Sequence, residues 1–170
     1  HTDGTGFSHP PVSTVLYCVK APSQGGETLY ASGKRAWDAL PEEKQRQYRD
    51  LKVRYSYASL YKKLTTDSDA KKTELTNSEK ERAPEVVHPL VRTHPVTGHR
   101  ALWFTQAEMA CFEGMSTEES QVLGKEIVEA ISKLDYVYAH AWQPGDLLIW
   151  DNRQMHHSTT PYTYENEIRL

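Results

Sequence analysis

Residues 142–157 read WQPGDLLIWDNRQMHH, and the rest of the chain is organised around this stretch. A P-G-D turn signal precedes the short apolar run 147–150, which predicts a buried strand. A second turn is predicted at 151–152, so His156 and His157 lie on or beside the next strand. We expect one of these two histidines to complete a site with residues from a distant part of the chain.

Length, charge and composition limit the class of protein. The 170 residues carry a formal net charge of -3 and are 38% hydrophobic, as expected of one globular domain. Lys and Arg are scattered along the chain, which argues against a nucleic-acid or anionic-membrane surface and favours small-molecule partners. No apolar run has the length of a membrane helix, and no signal segment is evident. Cys18 and Cys111 lack C-x-x-C spacing and are interpreted as buried free thiols, which favours a cytoplasmic protein.

Short strand patterns dominate the chain, with a few helical segments between them. The predicted strands are 12–20, 27–30, 53–57, 86–91, 101–104, 136–142 and 147–150, and the predicted helices are 32–40, 41–50 and 116–134. This pattern predicts a mainly β fold with flanking helices, arranged as an antiparallel sandwich or jelly roll. Residues 62–84 are polar and charged without apolar periodicity, which predicts a surface insertion or lid.

The ends of the chain lack polar tails. The sequence starts on His1 and stops on Leu170 within what resembles a strand, so we expect a partial or trimmed version of a single domain spanning 1–170. Whether that domain is a monomer or a homo-oligomer is left open by the sequence.

His1 and Asp3 are the first candidate metal ligands. Residues two apart on a strand point to the same face, so both side chains can reach one ion. A distant histidine would complete the two-histidine, one-carboxylate triad that binds non-heme iron(II) and leaves coordination positions open. Open positions are what an oxygenase requires.

Four blocks in order along the chain carry a resemblance to a known family. HTD at 1–3, GGET at 25–28, HPLVRTHPVTG at 88–98 and WQPGDLLIWDNR at 142–153 resemble the taurine dioxygenase family of iron(II)/2-oxoglutarate-dependent oxygenases. The resemblance spans the whole chain and implies a double-stranded β-helix, or jelly roll. It also implies that the N-terminal part of the family's domain is absent.

The resemblance assigns roles to five residues. Its spacing from the second tryptophan of the last block selects His157 rather than His156 as the distal ligand. His1, Asp3 and His157 are therefore expected to be the catalytic iron ligands. Thr28 and Arg169 are expected to hold the far carboxylate of 2-oxoglutarate, because a guanidinium fork and a hydroxyl both bind a carboxylate well.

The implied reaction is hydroxylation of a small organic acid such as a sulfonate, a phenoxyalkanoate or a similar carboxylate. Iron(II) is the implied metal, 2-oxoglutarate and dioxygen are the cosubstrates, and succinate and CO2 are released. An intact Asp3 favours hydroxylation over halogenation. Glu108 stands where the taurine-specific enzymes have an aromatic residue, which argues against taurine itself.

The remaining histidines have simpler interpretations. His88, His94 and His99 flank a turn and His140 lies among aromatics on a strand, so packing or surface roles are expected for all four. His156 is expected to support the ligands by adjacency. Two other functions are left open: a copper monooxygenase in which a mature terminal His1 and a distal histidine hold the metal, and a non-catalytic jelly-roll binding module.

Overall fold

A computed structural model describes residues 1–56, 84–133 and 137–162, together with the single positions 59, 76 and 135. Most of the predicted insertion 62–84 and the predicted cosubstrate anchor Arg169 lie outside these described residues. The described elements, in chain order, are β1 (Ser13–Tyr17), β2 (Thr28–Ser32), α1 (Gly33–Asp38), α2 (Glu42–Tyr48), β3 (Lys52–Tyr55), β4 (Val86–Pro89), β5 (Val91–Thr93), β6 (Arg100–Leu102), β7 (Met109–Phe112), α3 (Thr117–Ile131), β8 (Val137–His140), β9 (Leu147–Asp151) and β10 (Met155–Thr159).

All described strand pairs are antiparallel. They form four small sheets with the orders β1-β9, β10-β2-β8, β4-β3-β7 and β5-β6. Strands distant in sequence are neighbours in space, since β2 lies between β8 and β10. The prediction of a mainly β, antiparallel fold with a few helices is confirmed.

The strand prediction was wrong in two places between residues 86 and 112. The predicted strand 86–91 is divided at Leu90 into β4, which pairs with β3, and β5, which pairs with β6. Leu90 is fully buried, and its amide donates to the carbonyl of Leu51 while its own carbonyl accepts from Trp103. β7 was not predicted, because its four residues carry no strand-like alternation and are held by pairing with β3.

Local capping signals gave the helix starts correctly. The Ser32 hydroxyl accepts a hydrogen bond from the Arg35 amide at 3.2 Å where α1 begins. α3 begins with a capping box between Ser116 and Glu119, and it buries a stripe of apolar side chains at helical spacing. Among the described residues, no helix combines the length and apolar character needed to cross a membrane.

The sheet β10-β2-β8 has two faces with different neighbours. We call the face that carries Thr28, Tyr30 and His157 the site face, and the opposite face, with Ala31 and His156, the helix face. On the site face, the rings of Tyr30 and His157 contact Trp150 of β9 at centroid distances of 5.1 and 5.0 Å. The helix face belongs to the main apolar core through Ala31, together with residues of α1 and α3.

Candidate metal centre

His1 and His157 are backbone partners. The His157 amide donates to the His1 carbonyl at 2.8 Å, and the His1 nitrogen donates to the His157 carbonyl at 3.1 Å. This reciprocal pair is the pattern of two residues directly opposite each other in an antiparallel ladder, which project their side chains to the same side. The two imidazole centroids are 4.1 Å apart as a result. The backbone of His157 therefore positions the imidazole of a residue 156 positions away.

Asp3 joins this pair to form a three-residue cluster. His1 Nε2 and His157 Nε2 each lie 3.7 Å from the same carboxylate atom, Asp3 Oδ1. One ligand atom from each of the three side chains lies within 4.8 Å of the others. These distances are too long for hydrogen bonds, and they suit ligand atoms that converge on a common ion about 2 Å from each of them.

The donor set fits iron(II). Two neutral imidazoles and one carboxylate on a single face are the ligands of the facial triad, which leaves the opposite positions open. Within the described ranges, this is the one group of at least three histidine, cysteine or acidic side chains with such spacing. A copper site built on His1 and a second histidine would leave the Asp3 carboxylate, 3.7 Å from both imidazoles, without a role.

Asn152 fastens the ligand-bearing segment to the turn after β9. Its side chain is fully buried, its Oδ1 accepts from the Asp3 amide at 2.9 Å, and its Nδ2 donates to the Asp3 carbonyl at 2.7 Å. The same amide group also donates to the Pro11 carbonyl and accepts from the Thr2 hydroxyl. Sequence reasoning assigned Asn152 to its own turn and missed this role, because its partners lie about 150 residues away.

Thr2, between the two ligands, points into the protein. Its side chain is 1% exposed, and its backbone amide and carbonyl both bond to the Thr105 hydroxyl at 3.0 Å. Its own hydroxyl donates to the Asn152 carbonyl at 2.9 Å, which also accepts from the Trp103 indole. Because Thr2 faces inward, His1 and Asp3 face the opposite way, toward His157.

One carboxylate oxygen of Asp3 is fixed by β1. Thr14 donates its hydroxyl to Asp3 Oδ2 at 2.5 Å, while Oδ1 is the atom that faces both histidines. A carboxylate held in this way presents one oxygen to the metal position, while its other oxygen accepts a hydrogen bond from the protein. No sequence signal identified Thr14, since a threonine on a strand is ordinary.

Asp151 and Arg153 stabilise the turn that the sequence predicted at 151–152. Arg153 binds both Asp151 oxygens through Nε and Nη2, at 2.8 and 2.7 Å, and it holds the pKa of the Asp151 carboxyl well below its usual range. His94 Nε2 lies 2.7 Å from the same carboxylate, while its Nδ1 accepts from the backbone of the 94–97 turn. His94 is thus a buried packing residue, in agreement with its interpretation from the sequence.

The environment of His157 favours the neutral imidazole. Its side chain is 12% exposed and packs against Trp150 and Tyr30. Burial lowers the pKa of His157, an effect that the nearby Asp3 carboxylate opposes. A neutral imidazole is the form that binds a metal, so burial prepares this side chain for its proposed role.

His156 faces the other way. It is 4% exposed on the helix face, and its Nε2 accepts a hydrogen bond from the Phe104 amide at 3.3 Å. Burial lowers the pKa of His156 to about 3, so this imidazole is neutral at ordinary pH. It lies outside the three-residue cluster and bonds to Phe104, whereas the sequence analysis expected it to support the ligands.

Thr28 lies on the site face, on the same strand as Tyr30, and is fully buried. The register pairs Thr28 with Thr159 on one side and with His140 on the other, whereas Tyr30 pairs with His157. Thr28 is thus two residues, or about 7 Å, along β2 from the residue opposite the distal ligand. Its hydroxyl accepts a hydrogen bond from the Trp142 indole at 2.8 Å.

The other residues singled out from the sequence have structural contacts. His88 Nε2 lies 2.9 Å from the Phe7 carbonyl, and His140 Nε2 lies 3.0 Å from Asp146 Oδ2. His99 is exposed. The carboxylate of Glu108 accepts a hydrogen bond from the Thr5 hydroxyl, two residues beyond Asp3.

A cavity of about 510 Å³ adjoins the cluster. His1 and His157 line it together with residues of the helix face, the 104–107 segment and the end of α3. Its apolar lining consists of Leu29, Ala31, Phe104, Ala107, Val128, Ile131 and Val137. No lysine, arginine, aspartate or glutamate is among the described residues that line it. A mostly apolar cavity beside a metal-binding cluster has the character of a small-molecule site.

Comparison with known proteins gives consistent matches. The family model described as "Taurine catabolism dioxygenase TauD, TfdA family" matches residues 1–170. The alpha-ketoglutarate-dependent 2,4-dichlorophenoxyacetate dioxygenase of Cupriavidus pinatubonensis is 32% identical over 163 residues, which cover 95% of this chain and 54% of that protein. The alpha-ketoglutarate-dependent sulfate ester dioxygenase of Pseudomonas putida is also 32% identical, over 92% of this chain and 52% of that protein.

A solved structure resembles the whole described fold. The crystal structure of AAD-2 in complex with Mn(II) and N-oxalylglycine superposes with a TM-score of 0.88 at 29% identity, covering 100% of this chain and 64% of that one. The chain thus spans about half the length of the curated relatives cited above and under two thirds of this structural neighbour.

Proposed function

The chain belongs to the taurine catabolism dioxygenase TauD, TfdA family, and on that premise we propose that it is the core of an iron(II)- and 2-oxoglutarate-dependent dioxygenase. The observation that carries the proposal is the convergence of His1, Asp3 and His157, whose ligand atoms lie within 4.8 Å of one another. We further propose that the strands form a double-stranded β-helix within a single domain over 1–170. Two observations support the jelly roll. The described strand pairs are all antiparallel, and Trp150 of β9 contacts Tyr30 of β2 and His157 of β10.

The three side chains would hold the iron from one side. Bound iron(II) would supply activation of dioxygen and oxidation of a substrate C–H bond, coupled to conversion of 2-oxoglutarate to succinate and CO2. The protein contributes orientation: Thr14 turns Asp3 toward the ion, and the His1–His157 backbone pair sets the two imidazoles side by side. Trp150 and Tyr30 pack on His157 and exclude water from that side.

Thr28 and Arg169 are proposed to bind the far carboxylate of 2-oxoglutarate. Thr28 is buried on the same face as His157, its hydroxyl accepts a bond from Trp142, and a threonine hydroxyl is a suitable donor to a carboxylate. Arg169 has this role by its match to the family pattern, as a planar cation suited to bidentate binding. Replacing it with alanine should weaken 2-oxoglutarate binding by about 2 kcal/mol or more through loss of a charge-assisted bond.

The substrate is proposed to be a small organic acid with an apolar body. Relatives act on 2,4-dichlorophenoxyacetate and on sulfate esters, which pair an acidic group with a carbon skeleton. The cavity beside His1 and His157 has an apolar lining that suits such a skeleton. Glu108, which accepts a hydrogen bond from Thr5 near the ligand segment, stands where the taurine-specific enzymes have an aromatic residue, and this difference argues against taurine.

Anaerobic titration tests the proposal most directly. Iron(II) and 2-oxoglutarate are added to the metal-free protein, and the visible charge-transfer absorption of the chelate is recorded before and after adding candidate acids. We expect the band to form, to shift with a true substrate, and to be lost in Asp3→Ala. A non-catalytic binding module would give no band and no succinate after admission of air, and this result would overturn the proposal.

A matched pair of variants tests the cavity as the substrate site. Val128→Phe adds volume to a cavity-lining residue of α3, whereas Val122→Phe adds it on the same helix at a residue that is 71% exposed. With phenoxyacetate as the probe, we expect Val128→Phe to raise about tenfold the phenoxyacetate concentration that gives half of the band shift. Val122→Phe is the control and should match the wild type, and equal behaviour of the two variants would contradict the assignment.

A further inference from the structure

Trp142 makes a part-buried contact with Thr28 that links two distant parts of the chain. Its indole Nε1 donates to Thr28 Oγ1 at 2.8 Å, across 114 residues of sequence, and Thr28 is 0% exposed. An indole nitrogen is a donor only, so the Thr28 oxygen must be the acceptor in this bond. The direction of the Thr28 hydroxyl hydrogen is thereby restricted, because one lone pair is already committed.

The Trp142 ring is itself held by β8. The imidazole of His140 meets it edge to face, with centroids 4.6 Å apart and planes at 87°. His140 Nε2 is in turn 3.0 Å from Asp146 Oδ2, and that oxygen also accepts from the Gln143 amide at 2.9 Å. Thr28 is the cross-strand partner of His140, so indole, imidazole and hydroxyl occupy adjacent positions.

The WQPGD sequence builds the turn that carries this arrangement. Gly145 adopts φ +97°, a conformation that favours glycine, and its amide donates to the Cys18 carbonyl at 2.8 Å. The Cys18 amide donates back to the Asp146 carbonyl at 2.8 Å, which fixes the turn to the end of β1. Several hydrogen bonds therefore fix the turn that follows Trp142, and this restricts the position of the indole.

We propose that Trp142 is a positioning residue that sets the Thr28 hydroxyl to donate to the far carboxylate of 2-oxoglutarate. This inference rests on the proposed function, in which Thr28 binds that carboxylate. Trp142 acts through Thr28 and does not contact the reacting atoms. A hydroxyl that is already oriented loses less rotational freedom when it binds a ligand, so removing the indole donor weakens the interaction without removing it.

The test compares two 2-oxo acids in the iron(II) protein under anaerobic conditions. 2-Oxobutanoate has the chelating 2-oxo acid end of 2-oxoglutarate and lacks the far carboxylate. Trp142→Phe keeps an aromatic ring against His140 and removes the N–H donor. We expect the dissociation constant for 2-oxoglutarate, read from the charge-transfer band, to rise about tenfold, and that for 2-oxobutanoate to change less than twofold.

A double-mutant cycle separates positioning from packing. In a Thr28→Val background, Trp142→Phe should have no further effect on 2-oxoglutarate binding, since the oxygen that it orients is absent. Thr28→Ser should retain the sensitivity to Trp142→Phe, because serine keeps the hydroxyl. Tyr138→Phe, which removes a hydroxyl 3.1 Å from His140 Nδ1 at the exposed edge, is the control and should leave both acids unaffected.

The outcomes separate this inference from the proposed function. If neither 2-oxo acid binds to the wild-type protein, the proposed function fails. If Thr28→Val weakens 2-oxoglutarate binding while Trp142→Phe does not, the function stands and the positioning role is overturned. Equal weakening of both acids in Trp142→Phe would also overturn it, because a general packing defect does not distinguish the far carboxylate.

Discussion

His156 and His157 are consecutive residues of one strand, and they have opposite environments. His157 lies on the site face, backbone-paired with His1 and 3.7 Å from the Asp3 carboxylate. His156 lies on the helix face, buried and bonded to the Phe104 amide. The residue type is identical, so the difference comes entirely from the two-residue alternation of a β-strand and from what each face meets.

The alternation has a chemical consequence for both imidazoles. Burial lowers the pKa of each, so both are neutral near pH 7. Only His157 has a carboxylate and a second imidazole on its side of the sheet. Burial alone therefore does not make a metal ligand, and convergence of several donors is required in addition.

The largest effect is expected on iron(II) binding, from removing His157, the metal ligand on the site face. We expect His157→Ala to abolish measurable iron(II) binding, as His1→Ala and Asp3→Ala should, because each leaves two donors where three are needed. His156→Ala should keep its iron affinity within about tenfold, since it removes no donor. Isothermal titration of the metal-free variants measures this, and equal losses for His156→Ala and His157→Ala would contradict the assignment.

Asn152 offers the next test, because it holds His1 and Asp3 in place to meet His157. Asn152→Ala would leave the buried backbone groups of Asp3 and the Thr2 hydroxyl with fewer partners, at a cost of about 3 kcal/mol in the free energy of unfolding. We also expect iron affinity to fall about 10- to 100-fold, as when a group that orients a ligand is lost. Urea unfolding and metal titration measure the two effects separately.

A control for Asn152 lies in the same turn. Gln154→Ala changes a half-buried side chain two residues further on and should alter the free energy of unfolding by less than about 1 kcal/mol. If Asn152→Ala lowered the free energy of unfolding as little as this control, the hydrogen bonds from Asn152 to Asp3 would be unimportant to the site.

Features with a local cause could be predicted from the sequence. Ser32 and Ser116 mark helix starts because a cap acts within three residues. The apolar run and turn signals also predicted the strand at 147–150, but the prediction that it is buried was wrong, since Leu147 and Ile149 are exposed. The pairing of β7 and the division of strand 86–91 at Leu90 depend on partners distant in the chain, and no local pattern contains them.

The candidate site divides in the same way. His1 and Asp3 are suggested by strand periodicity, whereas the preference for His157 over His156 needed the family resemblance. Asn152 and Thr14 were not identified, since an asparagine in a turn and a threonine on a strand have ordinary local explanations. Their contacts to Asp3 are visible only when segments about 150 and 11 residues apart come together.

On the helix face, His156 should matter for stability and not for iron binding. His156→Ala removes the acceptor of the Phe104 amide and leaves a cavity in the core, for an expected loss of about 2 kcal/mol in the free energy of unfolding. His156→Gln should lose less, because its side-chain oxygen can accept from the same amide. Thermal and urea unfolding of the metal-free proteins test this order, and a His156→Gln variant as unstable as His156→Ala would show that the Phe104 bond is unimportant.

The smallest effect concerns pH, and it also separates the two histidines. The pKa of His156 is about 3 in the folded protein, below the ordinary value of 6.5, so the unfolded chain binds more protons between these values. Its contribution is therefore fully present above pH 6.5 and is lost as the pH falls toward 3. Between pH 6.5 and 5.5 this amounts to about 1 kcal/mol.

His156→Gln should remove that part of the acid sensitivity. Urea unfolding of the metal-free wild type and variant at pH 6.5 and 5.5 measures the difference, and the variant should lose about 1 kcal/mol less on acidification. His157 shares the downward direction of its pKa shift, but Asp3 stabilises its charged form, so His157→Gln should flatten the pH dependence less than His156→Gln. A wild type and His156→Gln variant with the same pH dependence would mean that His156 is protonated as readily in the folded protein as in the unfolded chain.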